Sequence, residues 1–159
     1  MTTKETKEAK ERYKLFAVNR EARKEYELLD KFEVGIVLTG PEVKVIRQGK
    51  VSIADAFVRV KNGEIFLLGM HISEYAAKGY VEQDPDRDKK LLMHKKEIAK
   101  IQKKLNEKGL TVVALSVYPK DRLIKVEIAL ARGKKLHDKR EDLKKKAIKR
   151  EMDRSYKIK

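Results

Sequence analysis

The chain has no cysteine and no tryptophan, and only three prolines, three histidines, four phenylalanines and six tyrosines. Without cysteine there is no disulfide framework, no thiolate metal site and no thiol nucleophile, which suits the reducing cytoplasm where the protein is expected to reside. No run approaches the roughly 18–20 apolar residues of a membrane-spanning helix, so no membrane association is expected. Residues 2–14 mix Lys and Glu without an apolar stretch, and predict no secretory leader. There is no glycine-rich phosphate loop, no nucleophile elbow and no paired-histidine motif. These absences leave little ground for catalysis, and no cofactor or metal is expected.

What the chain does have is charge. Of 159 residues, 41% are charged and 41% hydrophobic, with a formal net charge of +15. That length suits one domain with tails, and the positive excess points to a polyanion, nucleic acid before membrane. The excess is uneven. Residues 133–159 hold 12 Lys or Arg against 5 Asp or Glu, so this stretch supplies +7 of the total. A folded body is expected to end near Arg132, where Gly133 breaks a strand pattern and a basic arm leaves. The organisation read from the chain is a charged flexible segment over 1–18, a body over 19–132 and a basic tail over 133–159.

Within the body, Asn19 suits the cap of a short helix beginning at Arg20, although the same pair could equally touch RNA. Residues 26–39 read as a long strand bent at Gly35, with Phe32, Val34, Ile36 and Leu38 on one face and Glu33 on the other. Thr39, Pro41 and Glu42 together signal a helix start, and Gly49 its stop. Asn62-Gly63 between apolar runs is a strong hairpin signal. Residues 73–90 read as a long loop carrying Tyr75 and Tyr80, more naturally packed locally than stacked on bases. Residues 91–108 restore a helical period through Ile98, Ile101 and Leu105. Two final strands, 111–118 and 123–131, turn at 119–122. Five strands with the main helix between the third and fourth predict a mainly β, OB-type Greek-key barrel with accessory helices. The tail lacks a broad apolar stripe, so it is expected to be disordered when free and helical on an RNA surface.

His94 and Glu97 lie one turn apart and would be the only starting point for a metal-dependent nuclease, but further ligands at defined spacing are missing. A general OB-fold RNA binder or ribosomal protein is the alternative binding reading.

Four segments sharpen this: NREARKEY (19–26), FEVGIVLTGPEVK (32–44) with Arg47 and Gly49, DPDRDKKLLMHK (84–95) and GKKLHDKR (133–140). Their joint occurrence in this order resembles the small protein B family, the tmRNA-binding proteins of bacterial trans-translation, over about residues 17–145. The resemblance implies a non-enzymatic, monomeric OB-fold protein. It would bind the tRNA-like domain of tmRNA and support its delivery with elongation factor Tu to the A site of stalled ribosomes. By the same analogy Asn19, Arg20, Glu33 and Leu92 fall at RNA-binding positions, which makes Leu92 exposed and Glu33 specific. Gly133, Lys134, Lys135, His137, Asp138, Lys139 and Arg140 match the tail segment that occupies the vacant mRNA channel near the small-subunit decoding centre and its ribosomal RNA. Pro41, Lys89 and Met93 depart from the commoner residues, and Asp86 and Asp88 add acid to a usually more basic stretch.

Overall fold

The computed structural model describes residues 15–76, 83–134 and 136–157, with the side chains of 136–139 and 157 left aside. The described chain runs β1 (Ala17–Val18), α1 (Arg20–Glu25), β2 (Tyr26–Ile36), α2 (Gly40–Arg47), β3 (Val51–Ser52), β4 (Phe57–Lys61) and β5 (Glu64–Leu68). It continues with β6 (His71–Ile72), β7 (Lys89–Leu92), α3 (Lys95–Leu105), β8 (Leu110–Lys120), β9 (Leu123–Gly133) and α4 (Leu136–Lys157).

Seven strands form one antiparallel sheet in the order β1-β8-β4-β5-β7-β2-β9, and β9 pairs back onto β8. That last pairing closes six strands into a barrel, with β1 laid against β8 outside the ring. Closure removes the unpaired strand edges that an open sheet would expose. The architecture is the expected mainly β barrel with helices added.

Local chemistry explains the elements. The Asn19 side-chain oxygen accepts from the Ala22 N–H at 3.1 Å and caps α1. Thr39 and Glu42 form a capping box ahead of α2, with Pro41 in the first turn. Asn62 and Gly63 both have positive φ, as a type I′ hairpin between β4 and β5 requires. The β8–β9 hairpin turns on Asp121 and Arg122, also both at positive φ, without any glycine. The strands therefore run through Pro119 and Lys120, beyond the expected turn start.

Ile46, Ile65, Leu67, Met70, Ile101 and Ile128 are among the fully enclosed side chains of the interior. Each such burial stabilises by about 1.5–3 kcal/mol relative to exposure. Strand alternation puts Phe32, Val34 and Ile36 inside and Glu33 outside, as expected.

Several expectations need correction. The folded body begins before residue 19, because Phe16 and Ala17 pack on the core and Ala17–Val18 pair with β8. Two residues are too short to show a period. The irregularity of β2 lies between Leu28 and Lys31, while Gly35 pairs regularly on both sides. Residues 89–92 form a strand, neither loop nor helix start. Its two lysines disguise it: Lys89 is fully buried, and its Nζ donates to the carbonyls of Met70 (3.0 Å) and Pro85 (3.3 Å). Burial pulls that amine below its ordinary pKa. The sheet thus contains more strands than five. The tail takes the helical form expected of it: α4 is a 22-residue helix. Glu141–Lys145 and Asp142–Lys146 spacings and acids near its start favour it, although Leu143, Ile148, Met152 and Tyr156 all remain exposed.

Candidate nucleic-acid interface

The outer face of β7, β2, β9 and β8 carries two of the four predicted body residues, Glu33 and Leu92. Register aligns Leu92 with Gly35, Gly35 with Lys125, and Lys125 with Tyr118, one row across four strands. The next row aligns Glu33 with Glu127 and Glu127 with Ser116. Glu33 and Leu92, 59 positions apart in sequence, therefore share one outward patch. Leu92 is 54% exposed, whereas Leu91 is in the core and Met93 packs against it. The exposure has a visible cause. A Cβ at position 35 would sit 3.2 Å from the Leu92 Cβ, so glycine there leaves the leucine its place.

Glu33 is held by two donors. The Tyr118 hydroxyl donates to Oε2, and the Lys120 ammonium donates to Oε1 at 2.8 Å. Burial alone would raise the carboxyl pKa, but the bonds from Lys120 and Tyr118 and the charges of Lys120 and Lys125 outweigh it, and the group is held below its ordinary value. Burial, then the bond to Glu33, push the Tyr118 phenol far above its usual range. At neutral pH the pair is thus a carboxylate and a neutral phenol. Tyr118, Lys120 and Lys125 carried no motif signal; only the strand register joins them to Glu33.

The same sheet face continues along β9 from Glu127 to Ala129 and Ala131, where α1 covers it. Ala22, Tyr26 and Leu28 pack there on Val113, Leu115, Ala129 and Ala131. Tyr118, Ser116 and Glu127 in these rows are buried, while Glu33 and Leu92 remain exposed. Two strand residues advance roughly 7 Å, so the helix lies immediately beside this patch. Arg20 is exposed on that helix. Asn19 is not: it is 4% exposed, and its amide donates to the carbonyls of Ile53 (3.1 Å), Ala114 (3.1 Å) and Ala54 (3.4 Å) while its oxygen caps α1. Its amide joins three segments of the fold and faces inward.

Other aromatic and ionisable candidates divide clearly. Tyr75 packs against the core, with the Lys44 ammonium 5.2 Å above its ring. Tyr80 lies outside the described residues. Glu42 is buried, and Oε1 accepts from the Thr39 N–H at 2.9 Å and from Arg87 at 2.6 Å. This ties the segment leading into β7 to α2. His94 precedes α3 and is exposed, and among the described residues no three His, Asp or Glu side chains gather as metal ligands.

The tail begins on the body. Gly133 still pairs with Tyr26, and the Lys134 N–H donates to the Glu25 carbonyl at 3.0 Å. The Lys134 ammonium bonds Asp142 on α4, and that bond holds the Asp142 carboxyl below its ordinary pKa. His137, Asp138, Lys139 and Arg140 lie in the first turns of α4, where Arg140 is exposed. Lys135 lies outside the described residues, as do the side chains of His137, Asp138 and Lys139.

A closed OB-type barrel with a mixed cationic, acceptor and apolar outer patch, followed by a basic helix, defines a small nucleic-acid-binding protein. The family model described as SmpB protein matches residues 16–158, and the chain belongs to that family. It is 51% identical over 140 residues to the SsrA-binding protein of Oleidesulfovibrio alaskensis, covering 88% of this chain and 90% of the relative. It is 51% identical over 145 residues to the SsrA-binding protein of Thermosynechococcus vestitus, covering 91% and 95%. Among solved structures it is similar to a chain from "tmRNA-SmpB: a journey to the center of the bacterial ribosome", with a TM-score of 0.63 and 44% identity over 75% of this chain and 84% of that one.

Proposed function

We propose that this protein binds the tRNA-like domain of tmRNA through the outer patch around Glu33 and Leu92 and the adjoining α1, and acts in trans-translation on stalled ribosomes. The observation that carries the reading is the meeting of Glu33 and Leu92 on one exposed patch, in a chain of the SmpB family. Lysines on this face supply affinity for phosphate. A leucine and an ionised carboxylate do not; they suit base faces and base or ribose donors. The body over 19–132, extended upstream to Phe16, is the recognition unit. Asn19 serves it from inside and Arg20 from the surface.

The tail has a separate task. A vacant mRNA channel is walled by ribosomal RNA phosphates, so a basic helix enters only where mRNA is absent. Gly133, Lys134, Lys135, His137, Asp138, Lys139 and Arg140 form the root that sets the tail near the decoding centre. Elongation factor Tu is met through the RNA. The protein works as a non-enzymatic cytoplasmic monomer.

The test compares binding to the tRNA-like domain and to an unrelated structured RNA across a salt series, using the full chain and a chain ending at Gly133. Preference that survives both salt and truncation supports recognition by the barrel. Equal binding that collapses with salt would indicate a generic cationic RNA binder and sink the reading. A second arm replaces Asp138, Lys139 and Arg140 by alanine. RNA affinity should stay within about twofold while peptide tagging on stalled ribosomes stops.

A further inference from the structure

We propose that Tyr118 and Lys120 are positioning residues for RNA recognition, clamping the Glu33 carboxylate in one orientation so that it accepts hydrogen bonds from RNA donors. The proposal rests on the reading of this face as the tmRNA-binding surface. It adds to that reading how Glu33 acts and which chemical groups on the RNA it meets.

A glutamate has three side-chain torsions, and on a bare β-surface it samples many rotamers. Ordering a free one on binding costs about 1 kcal/mol or more, roughly a fivefold loss of affinity. Here the ordering is done in advance. Oε2 accepts a hydrogen bond from the Tyr118 hydroxyl and Oε1 accepts one from the Lys120 ammonium at 2.8 Å, so each oxygen is fixed by a different donor. A carboxylate offers about four lone-pair sites, two on each oxygen. Two are used in the clamp, leaving one acceptor site on each oxygen. With 39% of the side chain exposed, the carboxylate remains within reach of a ligand.

The two donors contribute differently. Tyr118 is 6% exposed, with its ring enclosed, so its hydroxyl is a rigid fixture. Lys120 is 42% exposed at the strand end, so it is the softer arm. The surrounding ionisable groups are Lys125 beside Tyr118 and Glu127 beside Glu33, both on β9. A fixed carboxylate repels phosphate. What it selects is an N–H or O–H donor, either an exocyclic amino group of an unpaired adenine, guanine or cytosine, or a ribose 2′-hydroxyl. Specificity on this face then sits on an acceptor held rigidly among cations that supply most of the affinity.

The experiment is a double-mutant cycle with the full-length chain and the tRNA-like domain of tmRNA, at two salt concentrations. Glu33→Gln should weaken binding about tenfold, the scale of one charge-assisted hydrogen bond. Tyr118→Phe keeps the ring packing and should cost about fivefold with Glu33 present, with an unchanged salt slope. In the Glu33→Gln background it should cost less than twofold. Lys120→Gln should show the same coupling. RNA arms separate the donor sources: nebularine for adenosine, inosine for guanosine and zebularine for cytidine each delete an amino group, and 2′-deoxy substitution deletes the hydroxyl. One class of substitution should weaken the wild type and have no effect on Glu33→Gln. If Tyr118→Phe costs as much without Glu33 as with it, or costs nothing in either background, the clamp is refuted while the binding face stands. If no RNA substitution couples to Glu33, the donor assignment is refuted. If the wild type shows no preference for the tRNA-like domain, or Glu33→Gln binds it unchanged, the underlying functional reading falls and the clamp falls with it.

Discussion

Asn19 offers the sharpest test of the structure, because one side chain performs two separable jobs. Its oxygen caps α1 through Ala22, and its amide donates to the carbonyls of Ile53, Ala54 and Ala114. Asn19→Ala removes both. Loss of the cap costs about 1 kcal/mol. The carbonyls of Ile53 and Ala114 then lose a buried donor, at about 1 kcal/mol or more each. The expected total is about 3 kcal/mol, read as the shift in unfolding free energy in urea followed by circular dichroism. Asn19→Asp separates the jobs. It keeps the capping oxygen but turns a second oxygen toward carbonyl oxygens, so it should be at least as destabilising as alanine. A simple cap residue would behave oppositely, since aspartate caps as well as asparagine. If Asn19→Asp matches the wild type, or Asn19→Ala costs under about 0.5 kcal/mol, the reasoning from these hydrogen bonds is wrong. Loss of RNA affinity in Asn19→Ala should follow the displacement of α1, and fall away as osmolyte restores the fold.

Three further outcomes follow from described geometry. Gly35→Ala should crowd Leu92 without entering the core, leaving stability within about 1 kcal/mol but lowering affinity for the tRNA-like domain; thermal melts beside binding curves check it. Gly69→Ala should cost about 3 kcal/mol, because φ is +76° and the new Cβ would collide with the Asp55 carbonyl oxygen; chemical denaturation reads the loss. For Glu42, burial raises the carboxyl pKa, but bonds from Thr39 and Arg87 more than reverse it, so the folded value lies below the unfolded one. Its contribution is therefore fully present above the ordinary glutamate value of about 4.3 and is lost as pH falls through the folded value. Glu42→Gln should lower stability at pH 7 by about 2 kcal/mol and flatten the decline toward pH 3, measured as urea midpoints at several pH values.

Legibility in the sequence followed the range of the interaction. Asn19 as a cap, the Thr39–Glu42 box and the Asn62-Gly63 turn are local devices, decided within four residues, and were readable as such. So was the inward alternation of Phe32, Val34 and Ile36. Lys89–Leu92 was not, because its burial depends on the Met70 and Pro85 carbonyls, which only the fold delivers to the ammonium. The site split in the same way. Glu33 and Leu92 came from resemblance to a family, and their adjacency appears only through the β2–β7 register. Tyr118 merely ends a predicted strand in the sequence, and only the fold brings its hydroxyl to Glu33. Asn19 was drawn toward the RNA by that resemblance and inward by its hydrogen bonds.

The length of α4 separates the protein electrostatically into two bodies. At 1.5 Å per residue, its 22 residues extend roughly 33 Å, several times the Debye length of about 8 Å at physiological salt. Cations on the far turns, such as Arg150 and Arg154, are therefore screened from Lys134 at the root of the helix. A polyanion captured by one end leaves the potential at the other almost unchanged. One chain of net charge +15 can hold two anionic surfaces at once, each with its own salt dependence, without either competing for the charge that binds the other.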